Sequence, residues 1–181
     1  VYEIETIAVI GTGPVAVRTA LLCSLAGLHV RLTGDGPEGL DAAFHALRHD
    51  VEQALSDGRI GREERQRILD GILFTLELDE ALTGADLAFV AEPGDPASSR
   101  ALLAKLASSC RATTLLATPL DPAHLAGSVP HAGRVIGLAS GGEEDSLPTI
   151  GVRIGPATTP HARARAEEFA DRVDRAAGAH R

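Results

Sequence analysis

Four apolar residues, Ile7-Ala8-Val9-Ile10, run without a polar break into Gly11-Thr12-Gly13, and Pro14-Val15-Ala16 then opens a helical pattern. No other stretch limits the fold as strongly. An apolar run of this kind fits a strand buried on both faces, as in a parallel sheet. Gly11 permits a tight turn off the strand, and Gly13 lets backbone approach a diphosphate because no Cβ intervenes. Pro14 suits the first helical turn, where a missing N–H costs nothing. Ala16 stands at the third position of the dinucleotide fingerprint and still allows close helix–strand packing. Free N–H groups at such a helix start attract phosphate. The stretch predicts a nucleotide-binding unit, and a plain strand–turn–helix is the alternative.

Composition narrows the class. With 181 residues the chain has room for one domain with a sizeable core. Aromatic residues make up 3% and Trp and Met are absent, so the core must be built from Ala, Val, Leu and Ile. The net charge of −8 and the lack of a basic stripe argue against nucleic acid as a partner. No apolar run approaches the ~18 residues of a membrane span. No basic start precedes the first apolar run, so no signal peptide is expected. Cys23 and Cys110 read as small buried hydrophobes of a reducing compartment, and a cytoplasmic location is expected.

The rest of the chain alternates between strand and helix patterns. The first helix covers residues 15–26, and His29-Val30-Arg31-Leu32-Thr33 is the second strand. Dinucleotide-binding domains end that strand with an acid that holds the adenosine ribose. Here the end is Thr33-Gly34-Asp35-Gly36-Pro37: Asp35 brings a carboxylate one place late, and it also suits a turn. No Arg stands there to favour a 2′-phosphate. Leu40, Phe44, Leu47, Val51 and Leu55 recur at steps of three and four, predicting a helix over 38–57, and a second follows over 62–70. Strands are predicted at 72–75, 87–91, 113–117, 134–139 and 149–154. A turn is expected at 82–86, and helices over 97–108, 121–126 and 159–176. Ala91 and Glu92 fall at the carboxyl end of the 87–91 strand, where ligands lie in open α/β sheets. Asp121 is the expected N-cap of the short helix.

In this order and spacing the chain resembles the NAD-binding domain of the L-3-hydroxyacyl-CoA dehydrogenases. The likeness rests on Gly11-Thr12-Gly13, the helical pair after the second strand, Gly58-Arg59-Ile60, Glu63-Glu64, Ile72, Phe74-Thr75, Glu80-Ala81, Ala85-Asp86-Leu87 and Arg134-Val135-Ile136-Gly137-Leu138. It implies an α/β fold: a Rossmann-type, mainly parallel sheet with helices on both faces and a helical pair inserted after the second strand. It also implies NAD as cofactor and hydride transfer to or from the 3-position of an acyl-CoA. A histidine serves as general acid/base, and a glutamate orients it.

The sequence departs from the family at the proton-handling positions. The histidine follows the Gly-Leu that ends the matched strand, and Ala139 stands there. By ungapped count the glutamate falls on Gly151. Ser140-Gly141-Gly142 replace an aromatic and Asn-Pro segment, and Ala117-Thr118-Pro119-Leu120 replace a polar Ser-Asn-Thr-Ser-Ser segment. His124 and His131 are expected near the same edge as surface histidines. Glu143, Glu144 and Asp145 are expected to form a solvated acidic loop, with no metal site. The stretches that match the family's helical second domain and last strand are not found in these residues, and an open sheet edge that could take a second copy or a partner chain is the expectation.

The expected domain spans 1–177, with 178–181 as a frayed tail. Gly11, Thr12, Gly13, Pro14, Val15, Ala16, Asp35, Ala91 and Glu92 are the expected cofactor-binding residues, and no catalytic residue is assigned. The reading is a degenerate NAD(H)-binding domain, with a nucleotide or an acyl-CoA as ligand and no hydride transfer on its own. Two alternatives stay open: an oxidoreductase completed by a partner chain, and an interaction domain that binds no nucleotide.

Overall fold

The computed structural model describes residues 3–91, 95–125, 127–141 and 149–179. The elements are β1 (Thr6–Ile10), α1 (Pro14–Leu25), β2 (His29–Thr33), α2 (Pro37–Ser56), α3 (Arg62–Asp70), β3 (Ile72–Thr75), α4 (Leu78–Leu82), β4 (Leu87–Val90), α5 (Pro96–Ser109), β5 (Leu115–Thr118), β6 (Val135–Gly141), β7 (Thr149–Ile154) and α6 (Pro160–Gly178). Single 3-10 turns lie at Pro122–His124 and Ala132–Arg134.

The strands form one sheet in the order β3-β2-β1-β4-β5-β6-β7. All neighbours from β3 to β6 run parallel, and β7 runs antiparallel to β6. The chain winds outward from β1 in one direction to β3 and in the other from β4. The crevice beside β1, at the carboxyl ends of the strands, is therefore the switch point where ligands lie in such sheets.

Burial on both faces explains the unbroken apolar strands. In β1, Ile7 and Val9 pack into one layer and Ala8 into the other. Leu87 and Phe89 of β4 side with Ile7, and Ala88 and Val90 with Ala8. The first layer is made by α1, α2, α3 and α6, the second by α4 and α5. Helix α1 lies inside the first layer, and nine of its 12 residues are buried. In α2 the buried stripe is Ala43, Leu47, Val51 and Ala54. Leu40 and Leu55 pack at its margin, and Phe44 meets Phe74 of β3 edge-on at 5.3 Å.

Three local expectations are corrected. The turn expected at 82–86 is present, with Gly84 at φ 73°, and a short helix at residues 78–82, given no element in the sequence reading, precedes it. β5 starts at Leu115, because the Thr114 hydroxyl donates to the Ala85 carbonyl (2.8 Å) and its N–H to the Arg111 carbonyl (3.0 Å). The helix expected over 121–126 is a 3-10 turn, although Asp121 does cap it, accepting from the Ala123 N–H (2.9 Å). α6 continues through Gly178, into the segment expected to be a frayed tail; His180 and Arg181 lie outside the described residues. Among the described residues no helix is long and apolar enough to cross a membrane.

Candidate functional site

The cradle beside β1 is built from backbone. Gly11 follows β1 with φ 133°, a conformation that L side chains resist, and its N–H donates to the Thr33 carbonyl at the end of β2 (2.8 Å). Gly13 is the N-cap of α1 and Pro14 its first residue. The Val17 N–H returns to the Gly13 carbonyl (3.1 Å). The N–H groups of Val15 and Ala16 therefore have no acceptor within the helix. Val15 is exposed, whereas Ala16 is fully buried and holds α1 against the sheet. Ala91 sits next to this turn: it is buried, and its N–H donates to the Ile10 carbonyl (2.9 Å). Asp35 is exposed in the bend between β2 and α2. Glu92 and the acidic residues Glu143, Glu144 and Asp145 lie outside the described residues.

Helix α5 begins at the same sheet edge. Asp95 caps it, accepting from the Ala97 N–H (2.8 Å), the Ser98 N–H (3.1 Å) and the Ser98 hydroxyl (2.5 Å). These bonds, the Ser98 hydroxyl foremost, hold the Asp95 carboxyl below the usual carboxylate range.

Further along that edge, β6 and β7 pair with Ala139 directly opposite Gly151. Both positions are exposed. A Cβ on Gly151 would come no closer than 3.8 Å, to the Ala139 carbonyl, which is ordinary contact. Nothing steric requires glycine there. Gly137 and Arg153 form the next pair on the same face, and Pro122 packs over them: a Cβ on Gly137 would lie 3.0 Å from Pro122 Cδ. Arg153 donates to the Pro119 carbonyl (2.6 Å) and ties the loop after β5 down on this face.

The histidines divide. His124 is exposed in the 3-10 turn after β5, at the carboxyl edge as expected. His131 is corrected: it precedes β6, at the opposite edge, with φ 57°. There it lines a cavity of about 600 Å³ with Cys110, Thr113, Arg134 and Arg165. Arg134 donates to the carbonyls of Ala107, Arg111 and Thr114, and Arg165 donates to that of Thr113 (2.6 Å). Burial lowers the pKa of both guanidinium groups from the usual arginine value. They brace the end of α5 and the start of β5, away from the switch point. Cys23 is fully buried, and burial pushes its thiol far up; Cys110 is half-buried and shifted the same way.

The family described as "3-hydroxyacyl-CoA dehydrogenase, NAD binding domain" matches residues 6–177. The chain belongs to that family. Among curated proteins, 3-hydroxyadipyl-CoA dehydrogenase of Escherichia coli K12 is 28% identical over 139 residues, covering 75% of this chain and 29% of that protein. FadB2 of M. tuberculosis superposes with a TM-score of 0.87 at 26% identity, over 95% of this chain and 61% of that one. The 3-hydroxybutyryl-CoA dehydrogenase of E. coli gives a TM-score of 0.85 at 24% identity, over 98% of this chain and 37% of that one. This chain thus spans under a third of the curated relative and under two thirds of either solved structure.

NAD is the cofactor of this family's domain. The diphosphate part suits the residues present, since Gly11 and the start of α1 offer glycine backbone and first-turn N–H groups that have no acceptor within the helix. The adenosine end differs. Gly34, the first residue after β2, stands where an acid would read the ribose.

Sequence reasoning missed the role of two glycines here. Gly34 and Gly39 flank Thr12, and a Cβ on either would press into it. Gly39, in the first turn of a helix, was the available signal, because glycine weakens a helix unless packing needs it.

Proposed function

We propose that this chain binds NAD(H) through residues 11–16, with Ala91 beside the turn, and transfers no hydride on its own. One observation carries the second half: Ala139 and Gly151, the positions matched to the family's histidine and glutamate, are cross-strand partners. Side chains directly opposite in an antiparallel pair have Cβ atoms about 4.5–5.5 Å apart, within reach for an acid to orient an imidazole. That proximity supports the reading that these two positions are counterparts of the family's pair. A methyl group and a hydrogen atom occupy them, and neither moves a proton. Loss of a positioned acid/base typically costs about 10²–10⁴ in rate. NAD, when bound, would accept or supply a hydride; the chain's own contribution is to bind the diphosphate and seat the dinucleotide across the sheet edge.

The test is a calorimetric titration of the chain with NADH and with an acyl-CoA, paired with a turnover assay on a 3-hydroxyacyl-CoA. Saturable NADH binding without turnover is the expected result. Turnover would overturn the second half of the proposal and favour the oxidoreductase reading. Binding of neither ligand would leave an interaction domain.

A further inference from the structure

The register of β1 and β2 places the glycine turn against the end of the second strand. Ile10 pairs with Thr33, and the Gly11 N–H bonds the Thr33 carbonyl, so Thr12 lies beside Gly34. Its side chain is held between two glycines. A Cβ on Gly34 would fall 2.3 Å from Thr12 Cγ2, and one on Gly39, in the first turn of α2, would fall 2.9 Å from Thr12 Oγ1. Real Cβ atoms do not come that close. Gly36, between them in sequence, meets nothing within 4 Å, so the demand for glycine is specific to the two positions that touch Thr12. Threonine is also stiff about χ1, so its methyl cannot swing away from Gly34 freely.

Gly34 is the place from which a strand-end carboxylate reads the ribose hydroxyls in dinucleotide-binding domains. We infer that Thr12 closes that place: its methyl fills the space next to Gly34, no side chain fits there, and the cradle holds a dinucleotide without a ribose-reading acid. Thr12 is thus a specificity-determining residue of the cradle. The consequence for ligand binding rests on the NAD(H) reading above; the steric coupling of residues 12 and 34 does not.

A double-mutant cycle tests the coupling with no ligand present. Gly34→Ala should lower the melting temperature by about 4 °C or more in the natural background. It should change it by about 1 °C or less after Thr12→Ala, because the remaining Thr12 Cβ would lie 3.6 Å from the added one, an ordinary contact. Equal losses in both backgrounds would overturn the inference. Titration with NADH tests the consequence. Gly34→Asp alone should leave the Kd unimproved, and Thr12→Ala/Gly34→Asp should tighten it about tenfold, as a charged hydrogen bond to ribose would. Tightening by Gly34→Asp alone would also overturn the inference. If no variant binds NADH, the NAD(H) reading fails, and the melting-temperature cycle still decides whether Thr12 excludes a side chain at residue 34.

Discussion

The carboxyl edge of the sheet holds two regions of opposite construction. Beside β1 the turn is made of backbone, and its residues also carry the fold. Gly11 joins β1 to β2 through its N–H, and Ala16 begins a helix that is buried along most of its length. At β6 and β7 the positions matched by count to the family's acid/base pair, Ala139 and Gly151, are exposed, and a Cβ on Gly151 would meet only the Ala139 carbonyl, at 3.8 Å. A backbone cradle cannot be erased without harming the domain, whereas two exposed side chains can be removed at almost no structural cost. On the reading proposed above, that difference is what would let a cradle remain where an acid/base pair does not.

The contrast can be broken most forcefully from the cradle side. Leu22→Ala, in the helix behind the turn, removes a fully buried side chain and should cost about 2–5 kcal/mol in urea unfolding. A loss below about 1 kcal/mol would mean that α1 is not the core element described. Gly11→Ala comes next: a side chain at φ 133° should cost about 1–3 kcal/mol, measured the same way. At the other region, Ala139→His combined with Gly151→Glu should shift stability by no more than about 0.5 kcal/mol. A large loss would show that these two positions are structurally constrained after all. The smallest effect concerns acid. Asp95, Asp57 and Glu52 all have carboxyl groups held below their usual range, through Ser98, Arg59 and Arg65 respectively. Their folded values lie below the unfolded ones, so their contribution is full above the ordinary carboxylate pKa and disappears as pH falls through the depressed values. The urea midpoint should therefore drop below about pH 4, and Asp95→Asn should make that drop shallower. An unchanged acid limb in Asp95→Asn would show that the cap contributes nothing there.

How much was legible in the sequence follows the same divide. Gly11, Gly13 and Pro14 announce themselves because backbone geometry restricts residue choice locally. The strands around β1 and the pair α2 and α3 show through their periodicities. Ala139 and Gly151 were found by counting along a resemblance, and only the antiparallel register showed that they face each other. Contacts between distant segments left no periodic trace. The Thr12 slot joins the turn after β1, the end of β2 and the first turn of α2, whereas the far-edge place of His131 was legible, since a strand read from residue 134 already puts residue 131 at its amino end. Helix α4 was hidden by its length of five residues, too short for a period to emerge.

The central claim is that the diphosphate cradle persists without a proton relay. The most direct measurement is calorimetric NADH titration of this chain alongside NADH formation from NAD and a 3-hydroxyacyl-CoA in the same preparation. The account predicts saturable binding and no NADH formed above the enzyme-free rate. NADH formed at a rate proportional to the amount of this chain would contradict it.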